Sequence, residues 1–172
     1  TKGAILTQTG NRNIFKGLAL FENHWVGLNQ STSNSNQIGN DNTIWLQQIG
    51  ISTANINQDG NRNRTNVFQS GLNKDGEYSY GNSRSISTVR QFGNDNTTTT
   101  DQRGSDHEAY VYQGAAYNAQ KVNNYNGSWF SNNNTANIYQ EITNNFSEIA
   151  QYRRGNVATV YQYSANNIAS II

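Results

Sequence analysis

Residues 37–71 read QIGNDNTIWLQQIGISTANINQDGNRNRTNVFQSG. Four Q-x-G triplets begin at Gln37, Gln48, Gln58 and Gln69, at spacings of 11, 10 and 11 residues. Between them run alternating stretches such as Asn63, Thr65, Val67, Gln69. Alternation with period 2 is the pattern of a strand with one buried face, and Gly with Asn is the chemistry of the turn before it. The unit is one strand and one turn per 11 residues.

Extended in both directions, the register places Gln at 8, 91, 102, 113, 140, 151 and 162, with Ala19, Tyr80 and Trp129 at other anchors. Five residues after an anchor Asn recurs, at 13, 42, 63, 96, 118, 134, 145, 156 and 167. Two intervals break the count, so 31–36 and 125–128 read as turn insertions within one repeat domain covering 1–172. The inward positions pair a small residue with a β-branched one or Leu, and none is charged: Leu28, Leu46, Ile56, Val67, Val89, Val111, Val122, Ile138, Ile149, Val160 and Ile171 are the larger members. Small against large packs a thin interior between two facing strands.

A bulky outward series, Leu18, Gln47, Phe68, Arg90, Tyr112, Tyr139 and Tyr161, falls in alternate strands, which makes the coil two strands and about 22 residues. On that count there are fifteen strands, or seven and a half coils. Gln69, Gln91 and Gln113 share one column, and Gln58, Tyr80 and Gln102 the other. Arg12, Asp41, Arg62, Arg84 and Asp106 occupy one turn position. The fold class is all-β: a two-sheet parallel β-solenoid with the strand spacing of a cross-β fibre.

Composition supports stacking over a conventional core. Only 34% of the 172 residues are hydrophobic and mean hydropathy is −0.82, yet net charge is +1 and proline is absent. Disorder of this polarity normally carries charge and proline. A buried amide without a partner costs on the order of 1–3 kcal/mol. Stacked in register, each can donate to the next coil and accept from the last. The ladder positions are Gln37, Asn42, Gln48, Gln58, Asn63, Gln69, Gln91, Asn96 and Gln102, then Gln113, Asn118, Asn134, Gln140, Asn145, Gln151, Asn156, Gln162 and Asn167.

Other chemistries are poorly served. There is no cysteine for a disulfide or thiolate site, and no apolar run of transmembrane length. Thr1 in the place of an initiator methionine fits an exported, processed chain and equally a piece of a longer one. His24 and His107 stand far apart at ladder positions, where a substituted amide explains them better than a metal or catalytic role. The Gly-Asn clusters lack the Lys of a phosphate loop and the closing Glu of a calcium loop. The threonines 97–100 are not repeated on neighbouring coils, and the carboxylates are scattered. Outward Trp45, Tyr110, Tyr112, Tyr139 and Tyr161 suit fibre bundling or stacking on sugars.

The motif Q-x-G-x-x-N-x-A-x-V-x-Q resembles that of the curlin repeat family, the secreted subunits of curli amyloid fibres. Gln37, Gly39, Asn42, Ile44, Leu46 and Gln48 carry it, as do Gln58, Gly60, Asn63, Thr65, Val67 and Gln69. Gln102, Gly104, Ala109, Val111 and Gln113 follow the same pattern, and Gln151, Asn156, Ala158, Val160 and Gln162 do so with Arg153 in the glycine's place. His24, Lys74, Ser85 and His107 replace the ladder Asn. The resemblance implies a non-enzymatic, cofactor-free structural subunit of an extracellular biofilm fibre. Its partners would be itself, a nucleating subunit and outer-membrane secretion machinery, with no requirement for nucleic acid or membrane insertion. Uncapped solenoid ends offer unpaired backbone groups, so Ala4 and Leu6 at one end and Ala169 and Ile171 at the other are the expected assembly contacts. A monomeric adhesin or glycan-binding solenoid is the alternative.

Overall fold

The computed structural model describes residues 3–19, 31–49, 51–70, 84–105, 107–114, 121–132, 134–141, 145–151 and 155–172, the side chains of 121–132 and of several strand-end residues excepted. Fourteen strands carry this part of the chain. One sheet contains β1 (Gly3–Thr9), β3 (Thr32–Ile38), β5 (Ile51–Asp59), β7 (Arg84–Phe92), β9 (Glu108–Gly114), β11 (Thr135–Glu141) and β13 (Val157–Gln162), stacked in that order. The other contains β2 (Ile14–Ala19), β4 (Thr43–Ile49), β6 (Arg64–Ser70), β8 (Thr97–Ser105), β10 (Lys121–Asn132), β12 (Phe146–Gln151) and β14 (Ile168–Ile171). Every pairing is parallel and joins strands two apart in sequence. The protein is a two-sheet parallel β-solenoid.

The interior follows from alternation. Ile44 and Leu46 of β4 and Ala54 and Ile56 of β5 are buried, as are Val67, Val89, Val111, Ile138, Ile149 and Val160 further along. Apolar burial alternates with hydroxyls: Thr65, Ser87, Thr98, Thr100 and Ser147 are equally enclosed. Ser87 Oγ and Thr100 Oγ1 meet across the two sheets at 3.2 Å, so a polar layer crosses the middle of the core with its hydroxyls paired.

Four details depart from the sequence expectation. Residues 31–36 are not a turn insertion, because 32–36 lie within β3. Ser33 and Ser35 point inward in register with Ala54 and Ile56. Hydroxyls this small fill an inward position while pairing with each other at 3.2 Å, so a Ser/Asn-rich stretch serves as a strand once its neighbours supply the ladder.

The second break lies elsewhere than 125–128. Tyr125, Asn126 and Gly127 keep register with Asp101, Gln102 and Arg103, and the irregularity falls between Gly127 and Asn132, a bulge within β10. Asn126, not Trp129, therefore stands between Gln102 and Gln151 in the column.

The column parity also differs. Gln91 lies over Gln58 and Gln102 over Gln69, because each of these two steps spans 33 residues rather than about 22. The bulky outward series consequently divides: Leu18, Gln47 and Phe68 align in one sheet, Arg90, Tyr112, Tyr139 and Tyr161 in the other. Finally, the described strands make seven per sheet, so they contain no leftover half coil. The expected positions Leu28, Tyr80 and Asn118 lie outside the described residues. Val122 is placed by its backbone alone, between Thr98 and Ser147.

Candidate functional site: stacked amides and end strands

Four of the turns leaving the first sheet are built from one tetrapeptide: Gly10-Asn11-Arg12-Asn13, Gly39-Asn40-Asp41-Asn42, Gly60-Asn61-Arg62-Asn63 and Gly93-Asn94-Asp95-Asn96. The glycine and the third residue have positive φ, for example 103° at Gly39 and 59° at Asp41. A Cβ on Gly39 would stand 1.9 Å from the Gly60 carbonyl oxygen, so this backbone approach admits no side chain. Turn backbones pair from coil to coil, as where Gly60 N–H donates to Ile38 O at 3.0 Å and Arg62 N–H to Asn40 O at 2.9 Å.

The fourth residue locks one turn on the next. Asn42 Nδ2 donates to Gly60 O at 2.8 Å, while its Oδ1 accepts from Asn63 N–H at 3.0 Å. Asn63 does the same towards Gly93 and Asn96. The opposite turns repeat the backbone half of this bond between Asn134 and Asn156, and further along the first series Asn145 Oδ1 accepts from Asn167 N–H. His107 sits fully buried at a ladder position, its Nε2 2.9 Å from Arg103 O. Ser85 fills another such position, and its carbonyl accepts from Gln69 Nε2 at 3.1 Å.

The glutamines form a second set. Gln8 Nε2 donates to Gln37 Oε1 at 2.5 Å, and the chain of bonds continues through Gln58, Gln91, Gln113 and Gln140 to Gln162, at distances between 2.7 and 3.2 Å. The same amide groups reach across the corner. Gln58 Nε2 donates to Thr43 O, Gln91 to Arg64 O and Gln113 to Thr97 O. One side chain thus joins its own sheet along the axis and the facing sheet at right angles. In the other column Gln48 donates to Gln69 and Gln69 to Gln102, each at 3.0 Å, and Gln151 reaches Thr135 O at 3.1 Å. Satisfied in this way, buried amides cease to be a penalty.

Charge runs along the outside of the tetrapeptide turns. Arg12 Nε lies 2.6 Å from Asp41 Oδ1, and Arg62 Nε 2.7 Å from Asp95 Oδ1. The hydrogen bond from Arg12 and its charge hold the Asp41 carboxyl below its usual range, with Arg62 on the other side adding to the effect. Asp95 is lowered in the same way by Arg62. The row is Arg12, Asp41, Arg62, Asp95. Arg84 instead opens β7 beside Ile51, and Asp106 lies outside the described residues.

At one end of the stack, β1 and β2 are the outer strands; at the other, β13 and β14. Leu6 is 45% exposed and Ile171 37%, although both occupy inward register positions, because no described strand lies beyond them. Phe15 and Ala169 pack partly against the core. Ala4 is paired to Ser33 through its backbone. Among the described residues there is no cluster of three or more His, Asp or Glu able to hold a metal, and no helix long and apolar enough to cross a membrane.

No curated protein and no solved structure matches the chain. A family model does, the curlin associated repeat, over residues 93–119. That stretch begins with the Gly93–Asn96 turn and runs through β8 and β9, one strand of each sheet, with Gln102 and Gln113 in their columns. The match thus falls on one complete strand-turn-strand unit of the solenoid, and that unit is similar to the curlin associated repeat.

Proposed function

We propose that this protein is a structural subunit of an extracellular, curli-like amyloid fibre of a bacterial biofilm matrix, and that copies add end to end along the solenoid axis. The observation that carries the reading is the match between the two end coils. Both are closed by the same 11-residue offset, Ala4 to Phe15 and Ala158 to Ala169. Placing a second copy one coil beyond β13 and β14 sets Gln162 against Gln8 and Asn167 against Asn13, which continues both amide columns. It also sets Ala169 against Phe15 and Ile171 against Gly17. Gly17 lies beneath the Phe15 ring of its own chain, where an added Cβ would come within 2.7 Å of Cε1. Large therefore meets small at each inward position of that strand. A contact between unlike ends leaves both outer ends open and produces a filament.

Assembly by this route needs no cofactor and no catalytic group. A nucleating subunit and a secretion apparatus at the outer membrane are the partners such a subunit would use, with the cell surface as its location. Electron microscopy of the purified chain is the test. Long unbranched filaments giving the roughly 4.8 Å axial reflection of stacked strands are expected, and a persistently monomeric solution would refute the proposal.

A surface trough favours a second reading, the ligand-binding solenoid. It occupies 920 Å³ on the outer face of the first sheet, between Asn36, Asn57 and Arg90 on one stretch and Tyr110, Tyr112 and Tyr139 on the next. Exposed rings beside amides suit sugar stacking. Saturable binding of a soluble oligosaccharide by a stable monomer would favour that function over the fibre.

A further inference from the structure

We propose that Tyr112 and Tyr139 form an oxidative cross-linking site, at which a hydrogen-peroxide-driven one-electron oxidant joins the two rings and staples adjacent coils together. Their strands β9 and β11 are paired with these two residues directly opposite. Their ring centroids are 4.6 Å apart and the planes differ by 6°. The neighbouring contacts of the same aromatic row are wider: Phe92 to Tyr112 is 5.7 Å and Tyr139 to Tyr161 is 6.1 Å, both tilted by about half a right angle. Both rings lie on the outer face and are partly exposed, within reach of a soluble oxidant.

Tyr139 has in addition a built proton acceptor. Its hydroxyl donates to Glu141 Oε1 at 2.6 Å, whereas the other tyrosine–carboxylate contact of this face, Tyr110 to Glu108, is 3.5 Å long. That bond, with burial and the Glu141 charge behind it, raises the Tyr139 phenol to about 12, so the ring is neutral at ordinary pH. Oxidation of a neutral phenol generates an acidic radical cation, and a carboxylate already on the hydroxyl takes the proton as the electron leaves. Tyr161 and Tyr163, 62% and 58% exposed, touch Tyr139 and extend the surface on which oxidation can begin.

The step balances as follows. Each phenol gives up one electron and its hydroxyl proton, and the two radicals join through ring carbons ortho to oxygen. The hydrogens on those carbons return to the oxygens as the rings regain aromaticity. Hydrogen peroxide accepts the two electrons and two protons and leaves as two waters. The new bond lies along the solenoid axis, parallel to the hydrogen bonds it reinforces, and is independent of whether copies assemble.

The test is exposure of the dilute, folded chain to hydrogen peroxide and a haem peroxidase, read by dityrosine fluorescence and peptide mapping. An intrachain link between Tyr112 and Tyr139 should dominate. Tyr139→Phe should lower the yield severalfold with the β-sheet circular dichroism retained, and Tyr110→Phe should not. Glu141→Gln should slow the coupling and alter its solvent deuterium isotope effect, a readout that a merely structural role for Glu141 would not move. The proposal is overturned if the link pattern equals that of the urea-unfolded chain, or if Tyr110→Phe and Tyr139→Phe lower the yield alike. If Tyr139→Phe unfolds the chain, the mapped link and the Glu141→Gln rate decide in its place.

Discussion

Gln91 shows what a single residue contributes. Its side chain accepts from Gln58 Nε2 and Thr65 Oγ1, and donates to Gln113 Oε1, Thr98 Oγ1 and Arg64 O. Leucine has a similar volume and none of these bonds. Gln91→Leu should therefore destabilise the protein by about 3 kcal/mol or more, since several buried groups lose their partner at once. Asn36→Ala removes one bond on the outer face, from Asn36 Nδ2 to Asn57 Oδ1 at 3.0 Å, and should cost no more than about 1 kcal/mol. Denaturant unfolding of the two variants separates them. The ion pairs act differently because they are solvated. Asp41 and Asp95 have folded pKa values lowered chiefly by the hydrogen bond from Arg12 and from Arg62 respectively. Their contribution is complete above the unfolded carboxylate value of about 3.9 and disappears as pH falls through the lower folded value. Stability measured from pH 5 downward should drop, and Asp95→Asn should remove part of that drop. Screening by solvent keeps the effect small at neutral pH, and added salt should shrink it further.

At the level of the strand and turn, the glycine column sets the closest permissible spacing of coils. Gly60→Ala places a Cβ 1.8 Å from the Gly93 carbonyl oxygen in a backbone with φ of 131°. Backbone cannot move aside as a flexible side chain can, so the turn must open. The expected loss is more than about 2 kcal/mol, whereas Gly155→Ala, with nothing within 4 Å of the added atom, should cost less. Thermal unfolding of both variants checks the contrast. The turns also show how much was legible beforehand. Two parallel sheets, inward aliphatics such as Ile56 and Val111, and the amide positions followed from alternation and from the Gln spacing, because each depends on local sequence. Which coil lies on which did not, because counting by 11 assumes that every interval is a strand. Gln58 and Gln91 are 33 residues apart yet adjacent. The signal that could have shown it is the tetrapeptide itself: Gly-Asn-Arg/Asp-Asn recurs with Arg, Asp, Arg, Asp at its third position, at irregular spacing. Asp95 was missed for that reason. β3 was hidden for another, since Ser, Asn and Thr favour turns in isolation and become strand only when Gln8 and Gln58 flank Gln37 in space.

Taken as a whole molecule, the solenoid repeats at its ends what it does inside. Ala169 and Ile171 occupy the outermost inward positions of β14. The double variant Ala169→Lys/Ile171→Lys would bury two ammonium groups at a joint between copies, at a cost of several kcal/mol. Interior coils from Ile44 to Val111 have at least one further coil between them and the changed strand. Seeded elongation followed by thioflavin fluorescence should slow strongly or stop, with the monomer's β-sheet content kept; undiminished growth would place the contact elsewhere. The direction of the glutamine bonds carries a consequence of its own. In every glutamine–glutamine bond from Gln8 to Gln162 the donating Nε2–H points towards the C-terminal coil and the accepting Oε1 towards the N-terminal one. The amide dipoles therefore add along the axis, as peptide dipoles do in a helix, but with the negative pole at the N-terminal end. Two copies meeting head to head would press like poles together, carbonyl against carbonyl or N–H against N–H. A filament of such units, as proposed, would be an electret: every joint would have the same sense, its two tips would carry opposite partial charge, and they are expected to grow at unequal rates.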